Sequence, residues 1–245
     1  MAPVIAYGAK ELGTGASMTA HEDERLPSYS TIKVLVAAAF WRAVDRGELS
    51  ETQAFAFEPL ASVGGGGVLR GFRHAARITL ADYAHLMLAV SDNDATNIVA
   101  GFVGLDKVNA LAQELGLAHT VMQRMMMDAA ATEEGHDNYT SAGDLAALLE
   151  QLAVGDALGP AVSGPIWASL EKQEHLDGIA RYLPAEATYA GKCGDDSPVS
   201  RFAHDCALVR AGKRRTVIVV MTEDAGGFET VARTGAALYE AVEKA

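Results

Sequence analysis

The stretch from Ile32 to Val44, IKVLVAAAFWRAV, constrains this chain more than any other: it is apolar on nearly every face a helix could present, yet its second residue is a lysine. A helix apolar almost all round belongs in the centre of a domain, wrapped by other elements. Gly47, after Asp45-Arg46, supplies a C-terminal stop. The 245 residues, 49% of them hydrophobic, can bury a sizeable core without disulfides or metals, in one large domain or two interleaved subdomains. Lys33 would then be an amine in apolar surroundings, and burial of that kind disfavours the ammonium form.

The flanks show other periodicities. Val4 to Ala20 carries β-type residues around a Gly13-Thr14-Gly15 turn and reads as a hairpin. Helical patterns are predicted at roughly 79–90, 95–103, 106–115, 141–153 and 163–173, with Thr79 and Thr140 or Ser141 as N-caps. Three β-type runs follow, Ala187–Lys192, Phe202–Arg210 and Thr216–Thr222, joined by short turns that indicate antiparallel pairing. Phe228 to Glu243 is a closing amphipathic helix. With strands at both ends and helices between, the expected class is α/β of the α+β kind: one antiparallel sheet (1–27 and 178–245) beside a helical part (28–177). Residues 62–67, SVGGGG, match neither common phosphate-loop order and read as a flexible loop.

Composition excludes several functions. A formal charge of −12 argues against nucleic-acid binding. The densest basic run, Lys213-Arg214-Arg215, reads as a solvated hairpin tip. Cys193 and Cys206 lack C-x-x-C spacing, so zinc and thioredoxin motifs are out. The seven histidines show no ligand spacing, and no metal or other cofactor is expected. No basic-then-apolar leader and no run of about 18 apolar residues occurs, so no membrane partner and a cytoplasmic location are expected, although a trimmed exported chain would read the same. Nothing in the sequence points to an oligomeric state.

Three short motifs carry chemistry, in this order: Ser30-Thr31-Ile32-Lys33, Ser91-Asp92-Asn93 and Lys192-Cys193-Gly194. An S-x-x-K pattern arises by chance about once in a chain of this length, the S-D-N tripeptide with a probability of roughly a few per cent. Read alone, Ser30 is a helix cap with Lys33 reaching solvent, Ser91-Asp92-Asn93 a cap, and Lys192-Cys193-Gly194 a turn between strands. Read together they form a serine-nucleophile site. Ser30 at the head of the buried helix gains from its dipole. Lys33, one turn on, is a neutral general base. Ser91 relays a proton to the leaving group, and Asn93 donates its amide toward Lys33 and a substrate carbonyl. Lys192 receives a substrate carboxylate, Gly194 allows close backbone approach, and the N–H groups of Ser30 and Asp195 form an oxyanion hole.

On these motifs, and on STIKVLVAAAFWRAVDRGELS, LMLAVSDNDATNIVAGFVG and YAGKCG followed by AHDCALV, the chain resembles class A β-lactamases and related penicillin-recognising serine hydrolases from Val4 to Glu243. The resemblance implies a three-layer sandwich with a five-stranded antiparallel sheet and an all-helical subdomain. It also implies an acyl-serine intermediate and a small-molecule partner: a β-lactam, ester or amide bearing a carboxylate. His204 stands where relatives often place a polar or basic substrate-binding residue.

Two departures qualify this. The family's deacylating glutamate, in an E-x-x-x-N arrangement roughly 30 to 40 residues after S-D-N, is missing from MQRMMMDAAATEEGHDNYTSA. Asp128 is the nearest acid, with Glu133 and Glu134 further along, each reading as a solvated loop carboxylate. Cys193 replaces the usual Thr or Ser of the third motif, and a thiol is a poorer donor than a hydroxyl. Acylation with slow penicillin hydrolysis is therefore expected. An esterase, D-alanyl peptidase or acyltransferase of the same fold, or a β-lactam-binding protein that acylates once and stops, are the alternatives.

Overall fold

Alternation in the late strands explains the architecture. In the run Val217–Met221, Val217, Val219 and Met221 point to one side and Ile218 and Val220 to the other, and all five are buried. Successive strand side chains leave on opposite faces, so a strand apolar at every position must be covered on both. In the computed structural model, which describes residues 2–155, 157–199 and 201–244, this strand lies at the centre of a sheet sandwiched between helices.

In chain order the elements are β1 (Val4–Glu11), β2 (Ser17–Ala20), β3 (Leu26–Pro27), α1 (Lys33–Asp45), β4 (Ala54–Phe57), β5 (Ala76–Thr79), α2 (Leu80–Ala89), α3 (Asn93–Val103), α4 (Leu105–Glu114), α5 (Ala129–Glu133), β6 (Tyr139–Thr140), α6 (Ala142–Val154), α7 (Pro160–Leu170), β7 (Thr188–Asp195), β8 (Phe202–Ala211), β9 (Arg214–Glu223) and α8 (Gly227–Lys244). The sheet runs β2-β1-β9-β8-β7, antiparallel throughout, with β1 from one end of the chain seated between β2 and β9. One face meets α8; the other meets α6 and, beyond it, the helices gathered around α1. So α6, although inside the stretch assigned by sequence to the helical part, packs on the sheet. Two small ribbons escaped sequence reading. β3–β6 is only two residues long on each side, and β4–β5 is half exposed.

The apolar run behaves as its composition requires: Val34 through Ala38 and Phe40 in α1 are at most 1% exposed. Helix ends follow the expected chemistry, with Thr79 accepting from Asp82 N and Ser141 from Asp144 N. Among the described residues no helix is long and apolar enough to cross a membrane. The two cysteines are free and buried. Cys193 lies opposite Asp205 and Cys206 opposite Lys192, which puts their side chains on opposite faces of the sheet.

Candidate active site

Ser30 sits in a 3-10 turn, Tyr29–Ile32, that runs directly into α1, rather than on the first turn of the α-helix itself. The turn is tied down from both sides. Ser28 N donates to Asn138 O (2.8 Å), while Thr31 Oγ1 (2.6 Å) and Thr31 N (3.1 Å) donate to Ser28 O. Tyr29, immediately before Ser30, holds φ at 45°, a left-handed conformation that costs energy in a non-glycine residue. Its ring rests against Phe202 and His204.

Lys33 is fully buried. Its Nζ lies 2.8 Å from Ser91 O, 3.1 Å from Ser91 Oγ and 2.8 Å from Asn93 Oδ1. Burial, and next the positive charge of Lys192, hold its pKa well below the usual lysine value, against a smaller opposing pull from Asp92. A neutral amine here keeps two N–H donors, enough for Ser91 O and Asn93 Oδ1. Its lone pair is then left for a hydroxyl proton. Asn93 therefore accepts from Lys33 with its oxygen and donates its amide to Gly64 O (3.2 Å), the reverse of the expected donation toward the lysine.

Ser91 also has a positive φ of 55°, and the cap of α3 is Asp92, not Ser91. Asp92 Oδ1 accepts from Ala95 N, and its Oδ2 accepts from Val68 N (2.7 Å) and Leu69 N (2.8 Å). Asp94 receives Ser62 Oγ (2.6 Å) and Val63 N (2.7 Å). The glycine-rich segment, expected to be flexible, is thus fastened to the head of α3. Gly67 is packed so closely that a Cβ would stand 2.3 Å from Asp92 Oδ2.

The third motif lies inside β7, not in a turn. At Gly194 a Cβ would come within 2.7 Å of Ser30 N, so only glycine lets the strand lie against the backbone at Ser30. Ser30, Ser91, Asn93, Cys193, Gly194 and Asp195 line one cleft of about 690 Å³, together with Tyr29, Gly65, Gly66, Met126 and Phe228. This volume suits a small molecule.

Two residues expected to bind substrate have buried side chains. Lys192 is fully buried behind the cleft wall, its Nζ donating to Cys193 O (2.7 Å). His204 is also fully buried. Its Nδ1 accepts from Thr222 N (3.2 Å), which leaves Nε2 to donate to Pro27 O (3.0 Å). Burial pushes its pKa down to about 4, so the ring is neutral, and its Nε2 supports the backbone at Pro27.

Residues the motifs did not reveal shape the far wall. Asn97 Oδ1 accepts from Met126 N (2.7 Å) and Asn97 Nδ2 donates to Met126 O (3.0 Å). Arg124 pairs with Asp137 (2.7 Å), and Asn138 Oδ1 receives Gln123 N and Arg124 N. These clamps present Met126, only 8% exposed, to the cleft. Asp128 lines the rim but is engaged as the cap of α5 through Ala131 N (3.1 Å), while Glu133 and Glu134 are exposed and outside the lining. Asn97 and Asn138 could have been suspected from sequence only as polar residues beside apolar ones, a signal shared by many surface positions.

Comparison with known proteins places the chain in a family. The model of the Beta-lactamase enzyme family matches residues 4–242. The chain belongs to that family. Among solved structures, a β-lactamase from Sphaerobacter thermophilus superimposes with a TM-score of 0.91 at 26% identity, covering 99% of this chain and 93% of that one. A point variant of PBP-A, solved as an acyl-enzyme complex with penicillin-G, superimposes with a TM-score of 0.88 at 27% identity, covering 99% and 91%. The β-lactamase regulatory protein BlaB of Streptomyces cacaoi is 26% identical over 125 residues, which is 50% of this chain and 40% of that protein. The fold is thus that of β-lactamase-family serine hydrolases, class A enzymes included.

Proposed function

We propose that this family member is a serine acyl-transfer enzyme that acylates Ser30 with a β-lactam or a small ester or amide, and that it releases the acyl group slowly. The observation that carries the reading is the buried amine of Lys33, 3.1 Å from Ser91 Oγ, behind a cleft that Ser30 lines.

Lys33 in its neutral form takes the Ser30 hydroxyl proton as the serine oxygen attacks the substrate carbonyl. The N–H groups of Ser30 and Asp195 receive the developing oxyanion, which the close packing at Gly194 makes possible. Ser91 passes the proton from Lys33 to the departing nitrogen or oxygen. Lys192 acts from behind the wall, where its charge keeps Lys33 unprotonated. Slow release follows from the far wall: where a carboxylate would activate water, the clamped loop offers Met126, a thioether unable to take a proton.

Intact-mass spectrometry with benzylpenicillin tests this. The expected result is an adduct on Ser30 that persists for many minutes, is absent in Ser30→Ala, and decays at least about tenfold faster in Met126→Glu, since a placed general base contributes roughly 10²-fold or more. Fast multiple turnover by the unaltered protein, or an adduct surviving Ser30→Ala, would overturn the proposal. The thioether at the Met126 position also supports a second reading, a β-lactam-binding protein that reacts once; an adduct stable for days would favour it.

A further inference from the structure

From Pro59 to Ala81 the chain carries no acidic residue, although it has 32 in all, and it carries Arg70, Arg73, His74 and Arg77. The same stretch, with the strand before it, holds a cluster of exposed apolar side chains. Phe55, Val63, Val68 and Phe72 are 39–46% exposed, and Leu60, at 104%, stands free in solvent. These residues share one surface. β4 pairs with β5, the 3-10 turns Pro59–Ala61 and Leu69–Gly71 lie against each other, and Phe57 meets Phe72 edge to face.

The backbone beneath this surface is held in place. Asp94 accepts from Val63 N, and Asp92 from Val68 N and Leu69 N, so the turns project from a base fixed at the head of α3. Arg70, Arg73 and Arg77 are exposed, and among the described residues none of them pairs with a carboxylate. Arg77 Nη2 donates instead to Ala54 O (3.1 Å). Apolar side chains ringed by unpaired cations fit a partner that offers apolar and anionic groups together. A peptide of that kind needs a groove or a sheet edge to lie in. Leu60 is a free-standing projection, the shape that enters the headgroup region of a lipid layer.

We propose that this face docks on an anionic lipid surface, with Leu60, Val63, Val68 and Phe72 entering the interface and Arg70, Arg73 and Arg77 meeting headgroup phosphates. Docking of this kind needs no spanning helix. Each arginine close to an anionic membrane adds to the attraction, which falls off within a Debye length. The formal charge of −12 leaves the rest of the molecule repelled by the same surface, and that repulsion orients the chain with this face inward. Gly65 and Gly66, between Val63 and Val68, line the cleft with Ser30, so docking brings the cleft beside the lipid.

Cosedimentation of the full chain with vesicles at low ionic strength tests this. The expected result is retention on equimolar phosphatidylglycerol–phosphatidylcholine vesicles, at least about tenfold weaker retention on phosphatidylcholine alone, and a several-fold loss in about 0.5 M salt. Arg70→Glu/Arg73→Glu should weaken retention on the anionic vesicles about tenfold or more. Leu60→Ser/Val68→Ser should weaken it about fivefold or more. Both pairs replace exposed side chains, so urea midpoints should stay unchanged. No retention on the anionic vesicles, equal retention on the two vesicle types, or retention that both variants leave intact would overturn the proposal. So would arginine-dependent binding of a leucine–glutamate peptide without vesicle binding, which would assign the face to a protein partner.

Discussion

Lys33 is surrounded by neutral oxygens rather than a carboxylate, and a second lysine lies behind it. Burial and the second lysine each disfavour the ammonium form and lower the Lys33 pKa. The sign is testable. If neutral Lys33 is the active form, acylation rises with pH as the amine loses its proton and then levels off. Removing the Lys192 charge takes away a repulsion that lowers the Lys33 pKa, so Lys192→Met should shift the acidic limb of the acylation profile to higher pH. A lower plateau with the limb unmoved would mean that Lys192 is only structural. The S-x-x-K spacing already puts the two side chains on one helical face. The partners of the amine come from a segment some sixty positions away, and sequence alone could not orient Asn93 correctly.

At the scale of elements, the S-D-N-D run both starts α3 and fastens the glycine-rich segment. Asp92 is 1% exposed and receives Ala95 N, Val68 N and Leu69 N. Hydrogen bonds to a buried charge are worth more than neutral ones, and losing an N-cap alone costs about 1 kcal/mol. Asp92→Ala should therefore lower stability by about 3 kcal/mol and expose residues 62–69 to limited proteolysis. Denaturant melts and mapping of the first cleavage site check the two halves of this prediction. Glycine content alone suggested a flexible segment, because composition reports the conformations a chain can adopt and not the acceptors that hold it in one. The helices and the closing strands were legible because each carries several periods of its apolar pattern. The two-residue ribbon of β3 and β6 carries no period to read.

Across the whole molecule, His204 and Asp205 leave β8 on opposite faces, and both are fully buried. Burial raises the Asp205 pKa to about 6, against the hydrogen bonds from Tyr189 Oη (2.7 Å) and Ile179 N. Its stabilising contribution is thus complete below the unfolded value of 3.8 and is lost as pH rises through about 6. His204 runs the other way. Its pKa falls to about 4, so its contribution is complete above 6.5 and is lost as pH drops through about 4. Each term is about 3 kcal/mol, and over the shared window they oppose one another. Asp205→Asn should leave a protein whose stability climbs between about pH 4 and 6.5, and His204→Gln one whose stability declines over the same range. Urea midpoints measured across that window check both; parallel curves for the two variants would contradict the assignment.

The apolar helix with its embedded lysine, the strands at both ends and the order of the three motifs are properties of the chain read in one dimension. They are local features of the sequence, and the motifs' resemblance to known proteins was enough to indicate the family. Which groups face the cleft depended on tertiary structure. The closing of β1 onto β9 builds the sheet, and the sheet's alternation turns His204 and Lys192 inward. The clamps from Asn97 and Asn138 set Met126 on the far wall, and residues from several separate segments line one cleft with Ser30. Sidedness and convergence arise only when distant segments pack, because burial and like-charge proximity are relations between residues that sequence order leaves far apart.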